Sequence, residues 1–273
     1  MALDMDWKFI MTKVVYVTGC IGFIGYHVTK KCLDAGYHVL GIDSKTYASN
    51  LNLLPDLLKY PRFKFLELDI NDLDRLHDCD YFINTAAETH VDNSIVSSDV
   101  FLRSNINGVH KILELIKART YDVPYVIVRP TNNYGTGQYV EKFIPKAIKN
   151  LSLGRPIIMH DNGLPRRTWL HVSDTANAVL KIIESEAVNE IYNISGNYEE
   201  QNINVAKKII DKFYNCDSTY YEEFMDFSEQ RQGQDIRYAI NDGKLKALGW
   251  NPIADFDTEL TAIVDYYKNN FIW

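Results

Sequence analysis

Along the first half of the chain, unbroken apolar runs rich in β-branched residues alternate with stretches in which apolar residues recur every three or four positions. Such runs predict strands buried on both faces, and the alternation predicts a parallel sheet covered by helices. The strands are "KVVYVTG" from Lys13, "YHVLGID" from Tyr37, "FKFLELD" from Phe63 and "YFINTAA" from Tyr81. A helix from Phe23 to about Ala35 separates the first two and ends at Gly36, where a left-handed cap is cheap. Asn105 to Ala118 predicts a further helix, with Ile106, Val109, Ile112, Leu113 and Ile116 on one stripe.

The second half continues with strands "YVIVRP" from Tyr125 and "PIIMHD" from Pro156. A helix over Asp174 to Glu184 turns Ala176, Val179, Leu180 and Ile183 inward, and "EIYNISG" from Glu190 is the last strand of the main sheet. From Gly196 the chain is more polar and richer in tyrosine, with helices near Asn204–Tyr214 and Thr258–Lys268. The fold class is α/β, a doubly wound parallel sheet with a smaller C-terminal lobe. Residues 12–130, joined by 168–196, form the sheet domain; 131–167 and 197–273 form the lobe.

Composition narrows the function classes. The 273 residues are 46% apolar, enough for one good core with a small satellite. A net charge of −7 argues against a general nucleic-acid binder, which needs a basic surface. No apolar run approaches the ~20 residues of a membrane span. The leader "MALDMDWKFIMTK" lacks a cationic start followed by an apolar block, so no secretory signal is expected. Cys20, Cys32, Cys79 and Cys216 show neither C-x-x-C spacing nor histidine partners, which fits reduced packing residues of a cytoplasmic protein and no zinc site.

The chemistry begins at "VTGCIGFIG", which sets Gly19, Gly22 and Gly25 between a strand and a helix. The first glycine permits the tight turn, the second lets backbone N–H groups approach a pyrophosphate, and the third allows close helix–strand packing. Asp43 ends the second strand, 18 residues after Gly25. A carboxylate there accepts ribose hydroxyls and repels a 2′-phosphate, which favours NAD over NADP. Asp69 and Ile70, ending the third strand, either border the adenine or cap a turn.

The Gly-x-x-Gly-x-x-Gly spacing resembles the extended short-chain dehydrogenase/reductases, and six further stretches resemble the dTDP-glucose 4,6-dehydratases within them. These are "IDSKTYASNL" (from Ile42), "AAETHVDNSI" (from Ala86), "NNYGTGQYVEKFIP" (from Asn132), "RTWLHVSD" (from Arg167), "YNISGNYEEQNI" (from Tyr192) and "RQGQDIRYAI" (from Arg231). The resemblance implies a Rossmann-like sheet, NAD as cofactor and a dTDP-glucose-like nucleotide sugar as ligand. It also implies a homodimer. Gly19, Gly22, Phe23, Ile24, Gly25, Asp43, Lys45, Thr46, Asp69, Ile70, Ala86, Ala87 and Thr89 would line NAD. His90, Asn133, Glu141, Lys142, Phe143, Arg167, Asn202 and Arg231 would hold the nucleotide sugar. Lys45 stands where the family usually has leucine, and Gln234 where it has histidine. The physics agrees for the arginines, since a dianionic diphosphate needs charge-assisted donors. Alternatively, Arg166 and Arg167 form a solvated loop pair, and Arg231 and Arg237 pair with Asp226 or Asp235.

The family's reaction oxidises C4 of the sugar with NAD, eliminates water across C5 and C6, and returns the hydride to C6. It uses a Tyr-x-x-x-Lys pair and an Asp-Glu pair after Ser-Thr, between the counterparts of the Asn105–Ala118 helix and of "YVIVRP". Nothing of the kind stands there, so no catalytic residue is assigned, and the chain is about one βα unit shorter than the family. The two Tyr-x-x-x-Lys strings lie elsewhere. Tyr26–Lys30 sits in the first helix behind the glycine loop, and Tyr60–Lys64 contains Pro61, which resists the helix that would align both side chains. Two alternatives stay open beside an NAD-dependent dehydratase lineage: an inert NAD- or nucleotide-sugar-binding module, and another sugar-nucleotide epimerase or decarboxylase.

Overall fold

A computed structural model describes residues 12–89, 94–95, 97–118, 122–215, 219–229 and 235–270. The chain divides into two compact units, the first ending at Pro124 and the second starting at Tyr125.

In the first unit, strands β1 (Val14–Thr18), β2 (His38–Asp43), β3 (Phe63–Glu67) and β4 (Tyr81–Asn84) form a parallel sheet in the order β3-β2-β1-β4. Helix α1 (Phe23–Asp34) connects β1 to β2 and ends as the sequence predicts, with Gly36 at φ +95°. A short helix α2 (Leu54–Leu57) precedes β3. After β4 come α3 (Asp99–Leu102), a π-helical segment (Arg103–Gly108) and α4 (Val109–Lys117). The runs predicted to be buried are so in the two middle strands: every residue of β2 is buried, as are the last four of β1. Tyr16, Leu40, Ile42, Ile70, Leu73 and Ile112 form the core on one face, each apolar side chain contributing ~1.5–3 kcal/mol by leaving water.

The apolar stripe predicted over Asn105–Ala118 holds only in part. Ile112 is buried, whereas Ile106 and Leu113 are exposed. The helix begins at Asp99, and its π-helical stretch bonds i→i+5, which rotates the faces relative to a 3.6-residue period.

The second unit holds β5 (Val126–Pro130), β6 (Asn132–Tyr134), α5 (Phe143–Ser152), β7 (Ile157–Ile158), β8 (Arg166–His171), α6 (Val172–Glu184) and β9 (Glu190–Ile194). It continues with β10 (Tyr198–Gln201), α7 (Asn202–Tyr214), β11 (Met225–Asp226), β12 (Arg237–Tyr238), α8 (Gly243–Lys246) and α9 (Phe256–Asn269). Strand β8 pairs with β6, β10 and β12, and β9 pairs with β5. Segment 168–196 lies in the second compact unit, and among the described residues its strand partners lie there too.

"EIYNISG" is not the last strand of the main sheet: β5 and β9 form a two-stranded parallel sheet of their own. On helix α6, Ala178 and Ile182 are buried with Ala176 and Val179, while Leu180 and Ile183 are half-buried. The main core of this unit gathers helices α5, α7 and α9 around Ile148, Val205, Ile209, Leu260 and Val264. Among the described residues, no helix is long and apolar enough to cross a membrane.

Candidate functional site

The carboxyl ends of the four parallel strands carry the first unit's polar groups. Strand order reverses around β1, and in open α/β sheets ligands settle outside the strand ends at such a point. The glycine turn occupies this position. Gly22 N–H donates to the Gly19 carbonyl at 3.0 Å, closing the turn, and Gly19 has φ +67°. A Cβ on Gly19 would lie 2.9 Å from Ala86 N, and one on Gly25 only 2.0 Å from the Gly19 carbonyl oxygen. These two positions therefore take no side chain without moving backbone. Helix α1 starts at Gly22 with neither a capping side chain nor an acidic residue in its first turn. Its N-terminal amides can thus receive an anion.

Next to the turn, Asp43 is buried and organises the end of β2. Its Oδ2 accepts from Ile21 N–H at 3.2 Å, and its Oδ1 accepts from Lys45 N–H at 2.8 Å and Ser49 Oγ at 2.7 Å. Three donors on about four lone-pair positions leave room for a hydroxyl. On the other side of β1, Thr18 Oγ1 donates to Asn84 Oδ1 and Thr85 Oγ1 donates to the Thr18 carbonyl, both at 2.5 Å. The chain beyond β4 is held by Asn105, whose Oδ1 accepts from Glu88 N–H and whose Nδ2 donates to the Glu88 carbonyl, each at 2.9 Å.

Between these strand ends lies a cavity of about 170 Å³. Of the residues predicted to line NAD, it brings together Gly19, Gly22, Asp43, Thr46, Asp69, Ile70, Ala86 and Ala87. Phe23, Ile24 and Gly25 lie behind it in α1, and Lys45 and Thr89 are not on its wall. Lys45 instead turns its ammonium to Glu67. Sequence reasoning missed Ser49, Glu88, Arg103 and Ser104, which also line the cavity. Ser49 could have been found as a hydroxyl within reach of Asp43; the other three depend on how the helix after β4 starts.

The second unit carries most of the residues assigned to a nucleotide sugar. Asn133 lies on β6, its Nδ2 donating to the Thr131 carbonyl at 3.1 Å and its Oδ1 accepting from Thr175 Oγ1. Glu141 and Lys142 pair at 3.0 Å just before α5, and Phe143 packs against Trp169. Arg167 donates from Nη1 to the Arg166 and Asp235 carbonyls, at 2.8 and 2.9 Å. Asn202 begins α7, its N–H bonded to the Pro165 carbonyl at 3.1 Å. Arg237 pairs with Glu199 at 2.6 Å rather than with Asp226 or Asp235, and Arg166 shares that carboxylate. His90, Arg231 and Gln234 lie outside the described residues.

Neither Tyr-x-x-x-Lys string is arranged for proton abstraction. Tyr26 donates its hydroxyl to Asp56 at 2.7 Å, and burial together with that carboxylate pushes its pKa up, the wrong direction for a base. Lys30 is bonded to Tyr60, whose own hydroxyl donates to Asp34 at 2.7 Å. Tyr26, Lys30, Tyr60 and Lys64 are all absent from the cavity wall.

Comparison with known proteins agrees with this layout. The model of the NAD dependent epimerase/dehydratase family matches residues 15–120 and 117–195. The two matches overlap at residues 117–120, the point at which the sequence resemblance implies an acid–base segment. A dTDP-glucose 4,6-dehydratase of Neisseria meningitidis is 30% identical over 337 aligned positions, covering 95% of this chain and 94% of that protein. That alignment is longer than the 273-residue chain, so the relative carries residues that this chain skips. The low-salt glycan biosynthesis protein Agl12 of Haloferax volcanii is also 30% identical, covering 93% of this chain and 98% of that protein. Among solved structures, the dTDP-glucose 4,6-dehydratase DesIV of Streptomyces venezuelae, with NAD bound, superposes at a TM-score of 0.86. It is 27% identical, with 94% of this chain and 97% of that chain covered.

Proposed function

Since the chain belongs to the NAD dependent epimerase/dehydratase family, we propose that it is a protein of the dTDP-glucose 4,6-dehydratase line that retains NAD and nucleotide-sugar binding but lacks the acid–base set for turnover. One observation carries this reading. The glycine turn, the open start of α1 and Asp43 converge on one cavity, and among the described residues no tyrosine–lysine pair lines it.

The residues present fit NAD. The turn over Gly19–Gly25 and the amides of α1 would hold the diphosphate and Asp43 the adenosine ribose, while Asp69 and Ile70 would border the base. When bound, NAD supplies the hydride acceptor and donor. In the second unit, Arg167 and Lys142 would neutralise the diphosphate of the sugar nucleotide, with His90 and Arg231 assigned by sequence. The dTDP-sugar is favoured because the relative from Neisseria carries that activity in its name and the six motif stretches run in the same order. The described cysteines are free, and burial raises the Cys79 thiol to about 11. We place the protein in the reducing cytoplasm on that basis.

The test is calorimetry on the full chain with NAD and with dTDP, beside an assay for the 4-keto-6-deoxy sugar. Both ligands are expected to bind. Turnover should fall below that of an intact relative by at least the ~10²–10⁴ that one acid–base group contributes. Turnover matching a relative would reveal relocated catalytic groups and overturn the loss of chemistry. Failure of NAD to bind would overturn the site itself.

A further inference from the structure

The base end of the cavity is bonded differently from its ribose end. Passing from β1 to β2 to β3, the strand ends present the glycine turn, then Asp43, then Asp69 with Ile70, which places the last two at the base. Asp69 Oδ1 accepts from Asn71 N–H at 2.9 Å and Asn71 Nδ2 at 2.8 Å. Its Oδ2 accepts from Arg103 Nε at 3.2 Å and Nη2 at 3.0 Å. A carboxylate offers about four lone-pair positions, and here each has a donor. Burial works against ionisation of Asp69, but the Asn71 bonds and the Arg103 guanidinium outweigh it and hold the carboxyl below its usual range. Asp69 is therefore neither an open acceptor nor a protonated donor.

Arg103 opens the π-helical segment and lines the cavity, and π-helical turns recur at functional sites. A guanidinium has five N–H donors, and Asp69 engages two of them. Among the described residues, the other three have no partner in the first unit. They sit on a side chain whose plane is fixed by the carboxylate, and a fixed guanidinium can both donate to ring acceptors and stack on an aromatic face.

We infer that Arg103 is a specificity-determining residue for the cofactor base: it saturates Asp69 so that this carboxylate does not read the 6-amino group of adenine. In its place the Arg103 guanidinium offers donors that suit the ring nitrogens N3 and N7, acceptors common to a 6-amino and a 6-oxo purine. The inference rests on the NAD reading above.

The test compares the affinity of the full chain for NAD and for nicotinamide hypoxanthine dinucleotide, in which the 6-amino group is a carbonyl. The native chain should bind both within about threefold, less than the loss of one hydrogen bond to a charged group produces. Arg103→Leu frees Asp69 Oδ2, and NAD should then be preferred by about tenfold or more. The Arg103 side chain is 56% exposed, so the fold should tolerate this change. Asp69→Ala provides the second arm, lowering both affinities while leaving their ratio unchanged. A native preference for NAD above tenfold, or a ratio unmoved by Arg103→Leu, overturns the inference while leaving the NAD site standing. If neither dinucleotide binds the native chain, the NAD reading and this inference fall together.

Discussion

Asp43 in the first unit and Glu199 in the second are both carboxylates with several donors, but the donors differ in kind. Asp43 gathers two backbone N–H groups and one hydroxyl, is buried, and has acceptor capacity left over. Glu199 gathers the guanidinium groups of Arg237 and Arg166 at the surface. The pattern extends to each unit. In the first, main-chain groups at strand ends shape the cavity; in the second, Lys142 pairs with Glu141 and Arg167 donates to carbonyls. A dinucleotide at the proposed site would thus meet groups already in place, whereas a sugar diphosphate would have to exchange with internal partners of the groups proposed for it. Main-chain sites resist redesign and need no reorganisation, while side-chain sites are adjustable at the cost of breaking existing bonds.

The contrast can be broken most severely at the glycines. Gly25→Ala places a methyl 2.0 Å from the Gly19 carbonyl, at or beyond the ~1–3 kcal/mol usual for overpacking. It should lower thermal stability and abolish detectable NAD binding by calorimetry. Gly196→Ala meets the Trp169 carbonyl at 1.7 Å in the second unit. It should destabilise comparably but leave NAD affinity per folded molecule unchanged. Loss of NAD binding in both variants would mean that the two units do not divide the work in this way.

A smaller effect is expected at Asp43. Asp43→Ala strands the buried Ile21 N–H, worth ~1–3 kcal/mol without a partner, and frees the Lys45 N–H to solvent. NAD affinity should fall by at least tenfold, read by titration at a temperature where the variant is folded.

The smallest effect concerns Glu199. The Arg237 hydrogen bonds, then the charges of Arg237 and Arg166, outweigh burial and lower its pKa from 4.5 to about 2. A depressed carboxylate stabilises the fold above its unfolded pKa, and that contribution is lost as pH falls from about 4.5 through 2. Glu199→Gln should flatten this part of the acid-unfolding curve by no more than the ~0–1 kcal/mol of an exposed pair. NAD affinity at neutral pH should not change.

The glycine turn was legible because its determinants are local. Gly19, Gly22 and Gly25 are close in sequence, and β1 and β2 are buried on both faces, so their apolar runs are continuous. The strand pairings of the second unit were not legible. Strands β8, β10 and β12 include "RR", "YEEQ" and "RY", polar stretches that become strands only because they pair with one another. Arg103, Ser104 and Glu88 were missed for a related reason. Apolar periodicity starts this helix at Asn105, whereas it begins at Asp99 and widens into a π-helix that no 3.6-residue count anticipates. Arg237 was offered acidic neighbours in sequence and found one across a sheet instead.

Asn105 engages both hydrogen-bonding groups of one peptide, receiving from Glu88 N–H and giving to the Glu88 carbonyl. A single side-chain amide thus does for an irregular segment what a neighbouring strand does for β4. The Glu88 amide should therefore exchange with deuterated solvent far more slowly than a loop position normally would. Replacing Asn105 with leucine should release that protection at this one site while the sheet's own amides remain guarded.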